Sequence, residues 1–104
     1  AAASYAVAHC NRGLALHKLG QLGAAEMSTR KACNLDPMRA SFQMNLCKVL
    51  ASAGKNDEAL KAADAALALD KELAGALYNK CWILDAAGRA VEAQAATLEL
   101  MRMP

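Results

Sequence analysis

Gly54-Lys55-Asn56-Asp57-Glu58-Ala59 reads as a corner between two helices. A glycine can turn into the left-handed conformation that ends a helix, and the polar residues behind it suit the start of the next one. Asn56 is the expected N-cap, with Asp57 and Glu58 at the positive end of the following helix dipole. The corner recurs, with changes, at residues 20–25 and 88–93; the steps from Gly20 to Gly54 and from Gly54 to Gly88 are both 34 residues. Asn11, Asn45 and Asn79 keep the same step, as do Leu16, Leu50 and Leu84, and Ala32 and Ala66. The period is a property of the whole chain, so this is a repeat protein.

The 104 residues make one domain, and only 4% of them are aromatic. Alanine and leucine dominate and there are two prolines, a balance that favours helices and predicts an all-α fold. A net charge of +2, with both signs interspersed, provides no concentrated basic field for nucleic acid. No apolar run approaches the ~20 residues of a membrane span. Cys10, Cys33, Cys47 and Cys81 contain no CxxC pair; they read as reduced core thiols, which favours a cytoplasmic setting and implies neither a metal nor another cofactor. The chain begins Ala1-Ala2-Ala3, without a methionine or a leader pattern, and is expected to be a processed chain or a piece of a longer protein.

Helical spacing places the first helix over about residues 4–19, with Ala8, Ala15, Leu16 and Leu19 on its apolar stripe. A second, over 23–35, carries Ala25, Met27, Ala32 and Leu35 and is closed by Asp36-Pro37. Pro37 suits the first turn of a third, over 38–53, which buries Phe42, Leu46, Val49, Leu50 and Ala53. The fourth, 57–69, offers Ala59, Leu60, Ala63, Ala66 and Leu67; the fifth, 72–87, Leu77, Ile83 and Leu84; the sixth, 90–101, Ala93, Ala96, Leu100 and Met101. Such pairs bury their apolar faces only by stacking on one another. Ala25, Ala59 and Ala93 fall where the two helices of a pair cross, and Gly13, Cys47 and Cys81 are the matching small residues. In this setting Cys47 and Cys81 stand in for glycine.

A 34-residue helix–turn–helix period with a corner glycine, a small residue in the first helix, an alanine in the second and Leu35-Asp36-Pro37 at a boundary resembles the tetratricopeptide repeat family over essentially the whole chain. It departs from the family pattern at His9, Gln43 and Leu77, where the family has a large aromatic; at Arg12 and Lys80, where it has leucine; and at Thr29, Ala63 and Thr97, where it has a second aromatic. The resemblance implies one domain of three repeats, at about residues 6–39, 40–73 and 74–104, forming a right-handed superhelix of six antiparallel helices. It further implies a concave face lined by the first helix of each pair, a face with which such arrays usually bind peptides or extended segments of proteins.

On that expectation, Cys10, Leu14 and His17 share the groove face of the first helix, Met44, Lys48 and Ala51 that of the third, and Tyr78, Trp82 and Asp85 that of the fifth. In some peptide-binding members an asparagine at the place of Asn11, Asn45 and Asn79 hydrogen-bonds the ligand backbone, for which its amide has both donors and an acceptor. The alternative is that these asparagines tie neighbouring helices together or face water. Tyr78 and Trp82 are the aromatic anchors of the groove, and Met44 and Leu14 extend its apolar strip. A chaperone-binding subset clamps a terminal carboxylate with Lys, Asn and Arg; here Cys10, Leu14, Gly75 and Asn79 occupy those places and only Asn45 agrees, which excludes the clamp.

Nothing in the sequence points to an enzyme. His9 and His17 have no acidic or thiol partner at a recognised metal or nucleophile spacing. The leading reading is a protein-interaction module for an extended peptide. Two others compete with it: self-assembly through the sixth helix, which ends Leu100-Met101-Arg102-Met103-Pro104 without a polar cap, and a docking domain of a larger enzyme.

Overall fold

A computed structural model describes residues 2–104, which form six α-helices and no strand: α1 Ala2–Lys18, α2 Leu22–Leu35, α3 Ala40–Ser52, α4 Asn56–Leu69, α5 Ala74–Ala86 and α6 Ala90–Met101. Each tight corner folds a helix back on its predecessor, giving the pairs α1/α2, α3/α4 and α5/α6. Every following pair packs its first helix on both helices of the pair before it: α3 on α1 and α2, α5 on α3 and α4. Among the described residues the backbones of α2, α4 and α6 do not approach one another, so the second helices fan apart on the outside.

The corners are built alike. Gly20, Gly54 and Gly88 have φ of 78°, 79° and 76°, a conformation open to glycine and costly for other residues. Behind each, the N–H of Gln21, Lys55 or Arg89 donates to the carbonyl of Leu16, Leu50 or Leu84 at 2.9 Å, which closes the ended helix. The carbonyl of that same residue accepts from Ala25, Ala59 or Ala93, again at 2.9 Å, and opens the next helix. Asn56 is therefore not the N-cap expected from the sequence; it lies inside α4, Lys55 holds the cap position, and no side chain bonds there. A Cβ on Gly54 would meet nothing within 4 Å, so only the backbone resists substitution. Gly54→Ala is expected to lower unfolding free energy by about 1–2 kcal/mol in a denaturant titration.

Between pairs the chain takes a wider turn. Pro37 lies in that turn and not in the first turn of α3, which begins at Ala40; α5 likewise begins two residues later than expected, at Ala74, after the Asp70 carboxylate accepts the Glu72 N–H at 3.1 Å. Both late starts reflect a turn that the apolar spacing does not mark.

The small crossing residues are where the sequence puts them. Ala25, Ala59 and Cys47 are fully buried. A Cβ at Gly13 would lie 2.5 Å from Thr29 Cγ2 and 3.2 Å from the Ala25 carbonyl oxygen, so α1 and α2 touch only because this position is bare. Ala63, Ala66, Leu50, Leu77, Ile83 and Leu84 complete the core. The expected stripe of α1 is corrected: Ala8, Ala15 and Leu19 are exposed, while Ala6, Cys10 and Gly13 face inward. Val49 and Ile83, which repeat the place of Ala15, are fully buried, so it is the preceding pair that covers this side of a first helix, and α1 has none among the described residues. Met27, Leu35, Ala53 and Met101 are also exposed, against expectation, because they lie on outer surfaces or beside corners.

Glu26 on α2 bridges two pairs, accepting from Lys55 and from Arg30, both at 2.9 Å. Lys55, then Arg30, hold its carboxyl below the usual carboxylate value, so this stabilisation is present at neutral pH and is lost as pH falls through the lowered value.

Candidate functional site

Helices α1, α3 and α5 lie side by side and form one continuous inner face. Positions 34 apart line up along it, yet their exposure grows from one end to the other. Cys10 is 4% exposed, Met44 half-buried and Tyr78 60% exposed; Leu14 is half-buried, whereas Lys48 is exposed and Trp82 39% so. The cause is stacking, because each first helix is partly covered by the next.

The seams between these helices are specific. Asn45 Nδ2 donates to Cys10 Sγ at 3.2 Å, and His17 Nε2 lies 2.8 Å from Ser52 Oγ, both across α1 and α3. The Met44 sulfur sits where a Cβ on Gly75 would come within 2.7 Å, so α3 and α5 meet over a bare backbone. Of the three asparagines, Asn11 is exposed, Asn45 is half-buried in its bond to Cys10, and Asn79 is 7% exposed. Asn45 thus sits in the seam between α1 and α3, Asn79 is buried at the repeated place, and Cys10 belongs to the core. The residues left open on the inner face are Leu14, Met44, Lys48, Tyr78 and Trp82, with Asp85 beside them.

Tyr78 and Trp82 stand at the mouth of a cleft of about 480 Å³ between α5 and α6. Cys81 and Asp85 line it from α5, and Thr97 and Leu98 from α6. The α6 wall was not singled out by groove spacing, which follows first helices alone. A signal for it exists, since Thr97 repeats Thr29 and Ala63, both fully buried in pairs that another pair follows.

Burial pushes the Cys33 and Cys47 thiols up to about 11, so neither of these two is a nucleophile at neutral pH. Among the described residues, no group of three or more His, Cys, Asp or Glu is placed to hold a metal ion, and no helix is long and apolar enough to cross a membrane.

Superposition on solved structures decides the fold. The tetratricopeptide repeat domain of Arabidopsis OM64 matches with a TM-score of 0.93 and 18% identity, over 97% of this chain and 84% of that one. The chain has the tetratricopeptide repeat fold. The second such domain of human RPAP3, in complex with the HSP70 peptide SGPTIEEVD, matches with a TM-score of 0.90 and 20% identity over 97% of this chain and 84% of that one. The second repeat domain of Spaghetti (RPAP3), bound to the HSP90 peptide SRMEEVD, does so with 0.90 and 20% over 98% and 94%. No family model and no curated protein matches the sequence. Within the tetratricopeptide repeat fold, the departures noted above are absorbed by smaller side chains: Leu77 fills an aromatic place at 2% exposure, and Thr29 turns its hydroxyl to the Ala25 carbonyl at 2.9 Å.

Proposed function

We propose that this chain is a protein-interaction module that takes an extended segment of a partner protein along α1, α3 and α5. The observation that carries the reading is the exposure of Tyr78 and Trp82 together at an apolar cleft, in a chain with only four aromatic residues. An aromatic pair left open in this way is the side-chain chemistry of a binding hot spot. Met44 and Leu14 continue the strip, and Lys48 stands beside it as a rotatable cation.

The RPAP3 domains of the same fold hold peptides that end in EEVD. In this chain Cys10, Leu14, Gly75 and Asn79 stand where the carboxylate clamp needs cations and amides. The segment preferred here is therefore apolar at the positions that meet Met44, Tyr78 and Trp82, and one acidic residue suits Lys48. Selection from a random peptide library on the intact chain is expected to yield an aliphatic- or aromatic-rich consensus. Enrichment of nothing, or of acidic C-termini alone, contradicts the reading.

A further inference from the structure

The two described ends of the array repeat the two sides of its interior junctions. At its interior junctions, a first helix lies in the cleft of the pair before it, and comparison at a spacing of 34 residues shows which side chains enter. On α3 and α5 these are Phe42 and Ala76, Asn45 and Asn79, and Val49 and Ile83, all buried except the half-buried Asn45. The same three places on α1 are Ala8, Asn11 and Ala15, and all three are exposed. At the other end the cleft between α5 and α6 repeats the clefts that receive α3 and α5. Ala93 and Thr97 in its floor repeat Ala25 and Thr29 with the same residue types, and Cys81 repeats Cys47. Thr97 and Leu98 are exposed there, whereas Thr29 is fully buried and Arg30 half-buried beneath α3.

We infer that a second copy of this chain docks head to tail, its α1 entering the cleft between α5 and α6 of the first. This surface shares the cleft between α5 and α6, with Tyr78 and Trp82, with the peptide reading, but it rests on a separate observation, the exposed face of α1. Three features favour α1 as the occupant. It carries the register of the helices that fill the interior clefts, down to identical alanine and asparagine at two of three places. Its Ala8 and Ala15 are smaller than Phe42 and Val49, which leaves room for Tyr78 and Trp82, standing where the first cleft has Cys10 and Leu14. The charges also match. The interior contact between His17 and Ser52, 2.8 Å apart, repeats at the end of the array as Asp85 facing Lys18 of the second copy. Likewise the bond from Asn45 to Cys10 becomes Asn11 of the second copy against Tyr78. The contact is heterologous, since a head meets a tail, so it adds copies in a row without a fixed stop.

Sedimentation velocity on the 104-residue chain over a wide concentration range tests this. The weight-average mass should rise through dimer to larger species. Ala15→Arg, on an exposed helical face, should remain monomeric throughout while keeping the helicity and Tm of the parent. Asp85→Lys and Lys18→Asp should each weaken association about fivefold, and the two together, which restore an opposite pair, should bring it back. A strict monomer at every concentration, a dimer that never grows, an Ala15→Arg variant that associates like the parent, or a double variant as weak as the singles would each overturn the inference.

Discussion

Leu50→Ala should lower the unfolding free energy of this chain by about 2–5 kcal/mol, the range for emptying a fully buried leucine site. Leu50 is 1% exposed and sits on α3, the helix that touches α1, α2, α4 and α5. A cavity there loosens both junctions of the array at once, and the corner at Gly54 cannot relax into it because the Leu50 carbonyl holds the Lys55 N–H at 2.9 Å. A domain of this size has a total stability on the order of 5–15 kcal/mol, so the loss is a large share of the whole. Leu84→Ala removes an equally buried side chain from α5, in the terminal pair with only one junction. Nearest-neighbour coupling then predicts a smaller loss for Leu84→Ala than for Leu50→Ala. Urea titrations of the two variants check both the size and the order; equal losses, or a loss below about 1 kcal/mol for Leu50→Ala, would contradict a stacked array stabilised through its middle.

Much of this architecture was legible because it rests on residues that recur. Gly20, Gly54 and Gly88 announce the corners, and Ala25, Ala59 and Ala93 announce the crossings, since both depend on backbone shape and on the absence of bulk. What the sequence concealed is the difference between the interior and the ends of a solenoid. Ala15, Val49 and Ile83 occupy one register, and their chemistry does not reveal that the first is exposed and the others buried. The same blindness applied to the groove. Helical spacing grouped Cys10 with Leu14, and the family resemblance set Asn79 beside Tyr78, but stacking buries Cys10 and Asn79 and leaves Leu14 and Tyr78 partly or wholly open. Caps were misread for a local reason: the residue after each corner glycine serves two helices through its backbone, so the polar side chain of Asn56 was not needed there.

Trp82→Ala has the second large expected effect, and it falls on binding while sparing the fold. Trp82 is 39% exposed and lines the cleft with Tyr78, so part of its ring is free to take new apolar contact. Hot-spot aromatics contribute about 2 kcal/mol or more, which corresponds to roughly a 30-fold change in Kd. The buried neighbours Ile83 and Leu84 remain in place in the variant and keep α5 on the core. Lys48→Ala, on the rim of the same face, should cost much less, because an exposed cation contributes little beyond encounter.

The most direct measurement is a titration of the selected peptide into the intact chain and into Trp82→Ala, at concentrations where sedimentation shows both to be monomeric and circular dichroism shows equal helicity. If the inner face is the binding surface, Kd rises roughly 30-fold or more in the variant with no change in fold. An unchanged Kd would place the binding surface elsewhere, and loss of helicity would make Trp82 a core residue; either result contradicts the account.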